Sequence, residues 1–251
     1  KVDFIMANPP FNLKRWWADT LAKDPRWAGY GIPRESNANY AWILHMLSKL
    51  KAGKGVAGFL LANGALGDED TVEIRRKLIE NDKIEAIIVL PRELFYTTDI
   101  SVTLWILNQN KKGGTWHGRN LRNREGEILF MDLRQWTENA IKAEQKKKIE
   151  INAEQVKRAS DIYFKWQADG TDGAAYSAPE LYKSVKINEL KANGYSLVPS
   201  RYIEFVDKDT IIDYNAILQE TAATVSDLLK RQQQNDATLR NALKALGYEC
   251  K

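Results

Sequence analysis

The chain has 251 residues, 44% of them hydrophobic, with 37 basic and 33 acidic side chains giving a mild net charge of +4. This is enough apolar material for one good core and a second, small helical unit. No run approaches the roughly 18 to 20 consecutive apolar residues of a membrane span, no secretory pattern opens the chain, and the lone Cys250 excludes an internal disulfide, so a cytoplasmic protein is expected.

The chain begins Lys1-Val2 without a starting methionine and runs at once into an apolar strand-like stretch, Val2 to Ala7, which reads as the start of a piece of a longer chain. Asn8-Pro9-Pro10-Phe11 follows directly, and then Lys14, Arg15, Trp16 and Trp17. Tyr40 to Leu50 carries Trp42, Ile43, Met46, Leu47 and Leu50 at helical spacing and is closed by Lys51-Ala52-Gly53-Lys54-Gly55. Gly53, Gly55 and Gly58 fit a helix stop and a packing contact. A strand is predicted at Gly55 to Ala62, a helix at Val72 to Ile79, and strands at Ile84 to Leu90 and Val102 to Leu107. Alternation of strand and helix predicts an α/β fold with a parallel sheet and right-handed crossovers. No clear helix separates the last two strands, so that pair is open to an antiparallel arrangement.

Lys111, Lys112, Arg119, Arg122 and Arg124 form a run without an acid, which suits either phosphate contacts or a solvated loop. A short strand is predicted at Glu127 to Asp132. From Trp136 onward helix formers and charge dominate, through Ile141 to Lys148 and Glu154 to Trp166, followed by a linker at Gln167 to Pro179. The expected division is therefore residues 1–135 as an α/β domain and 136–251 as a helical region. In its last segment Ile211, Leu218, Val225, Gln232, Leu239 and Leu246 recur at seven-residue intervals, with Tyr214, Leu228 and Ala242 three positions after some of them. That is a heptad pattern, with Leu218, Val225, Leu228 and Leu239 as candidate partner-binding residues; the polar stretch Arg231 to Asp236 leaves two helices joined by a turn as an alternative.

The residue types of Asn8-Pro9-Pro10-Phe11 suit chemistry on an exocyclic amino group. The nitrogen of adenine or cytosine is a weak nucleophile because its lone pair is delocalised into the ring. A catalyst must accept both of its hydrogens, one through the Asn8 side-chain carbonyl and one through a main-chain carbonyl whose direction the prolines hold. Phe11 offers a flat face to a base taken out of its stack. The competing reading is an Asn-Pro turn with Phe11 plugging the core. Trp16 and Trp17, with Lys14 and Arg15, fit either the flank of an extruded base or a core edge. His45 and His117 lie far apart with no cysteine pair nearby, so no metal site is expected.

The segment through Asn12 resembles the target-base motif of amino-methylating DNA methyltransferases, most closely the modification subunit of type I restriction-modification systems. The similarity continues through Asn39 to Leu50, Ala62-Asn63-Gly64-Ala65-Leu66, Leu90 to Phe95 with Thr98-Asp99-Ile100, Glu127 to Asp132, and Gly194 to Ile203. Val198 and Asp99 depart from the family's usual polar residue and glycine. The resemblance implies a partial Rossmann-like sheet followed by a helical region, and transfer of a methyl group from S-adenosylmethionine to adenine in double-stranded DNA. It implies catalytic roles for Asn8, Pro9, Pro10 and Phe11, and partnership with a specificity subunit and a restriction subunit. The family's Gly-rich cofactor turn lies ahead of this motif; only seven residues precede Asn8 and none is glycine, so weak cofactor binding by these residues alone is expected. Two other readings stand beside it: a protein-glutamine methyltransferase with a related Asn-Pro-Pro motif, and a non-catalytic module that docks a specificity subunit.

Overall fold

A computed structural model of the protein describes residues 1–95, 99–137, 140–143, 146–206 and 214–248. Ile211, Thr98 and Cys250 lie outside the described residues. The elements in chain order are β1 (Phe4–Ala7), α1 (Asn39–Lys49), β2 (Val56–Ala62), α2 (Val72–Glu80), β3 (Ile84–Val89), β4 (Val102–Asn108), β5 (Gly114–Trp116), β6 (Arg119–Leu121), β7 (Glu127–Asp132), β8 (Ala140–Ala143), β9 (Lys146–Ile149), α3 (Ala153–Gln167), β10 (Ser177–Ala178), β11 (Tyr182–Lys186), α4 (Ile187–Ala192) and α5 (Tyr214–Ala245). Among the described residues no helix is long and apolar enough to cross a membrane.

Seven strands form one sheet in the order β1-β2-β4-β3-β7-β11-β10. β1 with β2 and β3 with β7 run parallel; α1 lies between the first pair in sequence, and β4, β5 and β6 lie between the second. β4 lies antiparallel between β2 and β3. Among the described residues of the β3–β4 connection there is no helix to carry the chain across the sheet; β4 runs antiparallel to β3, and the sheet is mixed rather than wholly parallel. Gly55, at the end of the α1–β2 connection, has no room for a side chain: a Cβ there would lie 2.8 Å from Leu50 Cβ and 2.9 Å from the Lys51 backbone.

One face of the sheet packs Phe59, Leu61, Trp105, Leu107, Ile128 and Phe130 against Ile43, Leu44 and Leu47 of α1, Leu78 of α2 and Leu190 of α4. The other face packs Ala86, Ile88, Leu129 and Met131 against Trp136 and Trp166. A register shift between Ile84 and Ala86 marks a β-bulge in β3. The two residues consequently serve opposite faces, Ile84 in the first core and Ala86 in the second, although strict alternation would put them on one. Glu85 at the bulge is fully buried and meets Arg124 Nε at 2.9 Å, with further bonds from Asn108, Tyr163 and Gln167.

The helical region expected from residue 136 takes a different form. β11 pairs with β7 and so extends the sheet, and Trp166 of α3 is buried in the second core. Contacts divide the chain into a unit of residues 1–205 and a second of residues 206–251, rather than at residue 135. The charge-rich Ile141 to Lys148 stretch contributes a two-stranded ribbon, β8 with β9, instead of a helix. Composition misleads here because a few anchoring residues, Trp166 above all, outweigh the polar majority around them. In the second unit α5 runs 32 residues without a break through Arg231 to Asp236. No proline or glycine falls within it, and the Gln and Asn residues there cost a helix little.

Both side chains of the Glu85–Arg124 pair are fully buried. Arg124→Ala therefore leaves an uncompensated buried carboxylate, and a loss of about 3–5 kcal/mol is expected in urea unfolding. A loss below about 1 kcal/mol would show that the pair does not hold the bulge in place.

Candidate active site

β1 ends where its parallel register brings Ala7 opposite Phe59. Ile5 and Ala7 turn toward the α1 side of the sheet and pack on its core, whereas Phe4 and Met6 are exposed on the other face. Asn8 is the next residue and is exposed; Pro9 and Phe11 are half-buried and Pro10 is exposed. Proline has no N–H to continue a ladder, so the strand stops and the segment leaves the carboxyl edge of the sheet. A cleft of about 340 Å³ opens beside it, lined by Ala7, Asn8, Pro9 and Pro10 and, from α1, Trp42, His45 and Met46.

The segment closes on Asn12, which has a left-handed backbone with φ of 50°. Its N–H donates to Asn39 Oδ1 at 3.0 Å, and its own Oδ1 accepts from Asn39 Nδ2 at 2.9 Å and Asn37 Nδ2 at 3.1 Å. Phe11 meets Phe95 edge to face, with centroids 5.9 Å apart and planes at 74°. Phe95 comes from the β3–β4 connection, which is held from the opposite side: Lys148 Nζ donates to Phe95 O at 2.7 Å and Asp99 Oδ1 at 3.0 Å, and Ile149 N–H to Glu93 O at 3.2 Å.

His45, which lines the cleft, faces the guanidinium of Arg26. Arg26 Nη1 lies 2.8 Å from His45 Nδ1, and a guanidinium can only donate, so Nδ1 is the acceptor. Burial, followed by the charges of Arg26 and Lys49, holds the imidazole pKa below its ordinary value. Arg26 is itself held by Asp24, whose carboxyl is pulled down to about 2 by the bonds from Arg26. Among the described residues no group of three or more His, Cys, Asp or Glu is placed to hold a metal ion.

The basic residues separate into different environments. Lys14 and Arg15 are exposed just beyond the Asn8 segment. Trp16 belongs to a core edge: its Nε1 donates to Arg34 O at 3.0 Å, and its ring meets Trp17 and Trp27 edge to face. The run from Lys111 to Arg124 sits at the other end of the strands, since Asn108 pairs with Val56 at the start of β2 and Phe4 touches Trp116. Three of its five cations are spent internally. Lys111 is buried and donates to Asp82 Oδ1 and to the carbonyls of Ile84 and Glu127, while burial lowers its pKa. Arg122 pairs with Glu127 at 2.7 Å and Arg124 with Glu85 at 2.9 Å. These three are structural cations, a correction to the phosphate-binding reading: leaving any of them unpaired in the interior would be costly. Arg119 lies over the Phe164 ring at 4.1 Å, and Lys112 is exposed.

Phe95, Asn12, Asn39 and Lys148 carry no site role that the sequence pattern reveals. Their contacts across the site span 25 to 84 positions and leave no local pattern. Asn12, Asn39 and Phe95 do lie in segments that carry the family resemblance, and Asn12, Asn37 and Asn39 stand on either side of a long irregular loop.

A model of the family described as N-6 DNA Methylase matches residues 1–210. The chain is 36% identical over 256 residues to the Type I restriction enzyme HindI methylase subunit of Haemophilus influenzae, covering 99% of this chain and 52% of that protein. It is 30% identical to the Type I restriction enzyme MjaIX methylase subunit of Methanocaldococcus jannaschii, with coverage of 98% and 42%. The fold is similar to that of the type I restriction-modification system methyltransferase subunit from Streptococcus thermophilus, with a TM-score of 0.65 at 22% identity, covering 80% of this chain and 38% of that one. The chain thus spans about half the length, or less, of these curated relatives.

Lys148→Met removes the ammonium that ties β9 to the Phe95 loop. It is expected to destabilise the protein by about 1–3 kcal/mol and to raise amide hydrogen exchange at Ile149, whose bond to Glu93 O closes the same contact. Unchanged exchange at Ile149 would rule out Lys148 as the anchor of this loop.

Proposed function

Because the chain belongs to the N-6 DNA methylase family, we propose that it supplies the base-acceptor side of an adenine-specific DNA methyltransferase, with Asn8, Pro9, Pro10 and Phe11 as the residues that take the target adenine. The observation that carries this reading is the exposed Asn8 placed one residue past a parallel strand, at the carboxyl edge where open α/β sheets bind ligands. The Asn8 side-chain carbonyl accepts one hydrogen of the adenine amino group, and a main-chain carbonyl of the proline-stiffened segment accepts the other. The nitrogen becomes more tetrahedral and its lone pair is released from the ring. Phe11, backed by Phe95, offers an aromatic wall that replaces part of the stacking lost when the base leaves the duplex. Lys14 and Arg15 are the exposed cations nearest in sequence to this segment and suit the flanking phosphates.

Family membership implies S-adenosylmethionine as the methyl donor. The residues of the cleft beside Asn8 do not by themselves fit it: Lys49 and His45 line the cleft, and among the described residues no lining carboxylate stands ready to meet ribose hydroxyls or balance a sulfonium. The role proposed for these residues is therefore confined to the acceptor side.

The proposal extends to assembly. α5 carries Leu218, Val225, Leu228 and Leu239 at heptad spacing, all between 57% and 65% exposed apart from Val225 at 48%. At about 1.5 Å per residue the helix is about 48 Å long, a seam suited to a partner helix. A specificity subunit is the proposed partner, with a restriction subunit joining the same complex.

In the assembled full-length enzyme, Asn8→Ala is expected to slow single-turnover methyl transfer to duplex DNA by about a hundredfold to a thousandfold with unchanged thermal melting. Asn8→Asp should also be impaired, whereas a turn residue would tolerate it; near-normal rates for both variants would remove the acceptor role. Phe11→Ala should appear partly as weaker target binding, worth about 1–3 kcal/mol, with partial recovery in Phe11→Trp. Charged residues placed together at 218, 225 and 228 should abolish subunit association measured by light scattering while the residue 1–205 unit stays folded. Normal association would exclude α5 as the docking element.

A further inference from the structure

The Asn8-to-Phe11 segment needs anchors at both ends if the Asn8 carbonyl and the Phe11 ring are to keep one mutual geometry. The first anchor is the β1–β2 ladder, which ends at Ala7 opposite Phe59. The second is Asn39. Its side chain, on a residue only 4% exposed, is committed to Asn12 on both sides: Oδ1 accepts the Asn12 main-chain N–H, and Nδ2 donates to Asn12 Oδ1. Asn39 opens α1, yet its side chain caps nothing in that helix. Its own N–H is taken by Asn37 Oδ1 at 2.9 Å, and the residue before it, Ala38, has no side-chain cap to give. A helix-forming role thus leaves the carboxamide unexplained. What it does hold is the residue immediately after Phe11, in a left-handed conformation that asparagine tolerates better than most residues.

We propose that Asn39 is a positioning residue for methyl transfer, acting through Asn12 to fix the Phe11 end of the segment whose Asn8 end is fixed by the sheet. This rests on the acceptor-side reading above. Loss of the Asn39 bonds leaves Asn8 tethered to β1 and the chain still joined to the start of α1 by Ala38 N–H to Leu13 O at 3.0 Å, so the Phe11 end loosens without coming free. The extruded base then loses its alignment with the Asn8 carbonyl while most of the DNA contact surface is untouched. A misplacement of about 1 Å at such a site costs on the order of a hundredfold in rate.

The bond has a direction that makes it testable. Asn12 Oδ1 only accepts, so Asn12→Asp retains both bonds to it, whereas Asn39→Asp loses the Nδ2 donor and faces a carboxylate against Asn12 Oδ1. The assay is single-turnover transfer by the assembled full-length enzyme at saturating DNA and cofactor. A duplex with 2-aminopurine at the target position reports base extrusion, and filter binding reports DNA affinity. Asn39→Ala and Asn12→Ala are expected to slow transfer by about tenfold to a hundredfold while DNA affinity stays within about threefold. Asn39→Asp should match them, Asn12→Asp should stay within about threefold of the parent, and the 2-aminopurine signal should relax to an altered final intensity only in the impaired variants. Asn12 is exposed, so its variants keep the test open if Asn39→Ala fails to fold. Parent-like rates in both alanine variants, or equal damage from the two aspartates, would overturn the proposal. Asn8→Ala in the same assay separates the two levels: if it too is active, the acceptor-side reading falls; if it alone is inactive, only the role of Asn39 falls.

Discussion

The parallel pairing of β1 with β2 is the constraint from which the candidate site follows. With Ala7 opposite Phe59, and with Ile5 and Ala7 packed on the α1 side of the sheet, the residue after the strand has a fixed point of departure. Pro9 and Pro10 cannot continue the ladder, so the backbone leaves the sheet at its carboxyl edge with few accessible directions. Everything else at the site is attached to that departure: Asn12 returns the segment to the start of α1, and Phe95 arrives on the β3–β4 connection to meet Phe11. One short strand of four residues thus sets the origin for side chains contributed by three separate parts of the chain.

The same sheet explains why a cluster of cations that suggests nucleic acid serves the interior instead. The bulge in β3 turns Ile84 and Ala86 to opposite faces and leaves Glu85 in the interior, where a lone carboxylate would be untenable. Arg124 meets it, and Asn108, Gln167 and Tyr163 supply the remaining donors. Lys111 similarly gathers Asp82 with two main-chain carbonyls. This network joins β3, β4, α3 and the loop before β7, and it makes the second core continuous with the sheet well beyond the point where composition turns polar.

α5 follows different rules from the rest of the chain. None of its residues is buried, although it carries leucines and a valine at seven-residue intervals. Its helical form is supported by local terms, an Asp227–Arg231 pair at 2.9 Å among them, and by the absence of any breaker. The regular seven-residue spacing of its leucines and valine is the feature on which the proposed docking rests.

By itself the sequence determined the strand-helix alternation, the position of the Asn-Pro-Pro-Phe segment at a strand end, the lack of a clear helical pattern between β3 and β4, and the heptad stripe of α5. These follow from periodicity, from the missing N–H of proline and from breaker residues, all of which act over a few positions. Only the tertiary structure decided that β4 enters the sheet antiparallel, that β11 and α3 belong to the first unit, that Lys111, Arg122 and Arg124 point inward, and that Asn39 and Phe95 stand beside the Asn8 segment. Each depends on groups tens of residues apart finding the same buried space. A charge on an exposed loop and a charge neutralised in a core are written with the same residue, and only the partner brought to it by the fold distinguishes them.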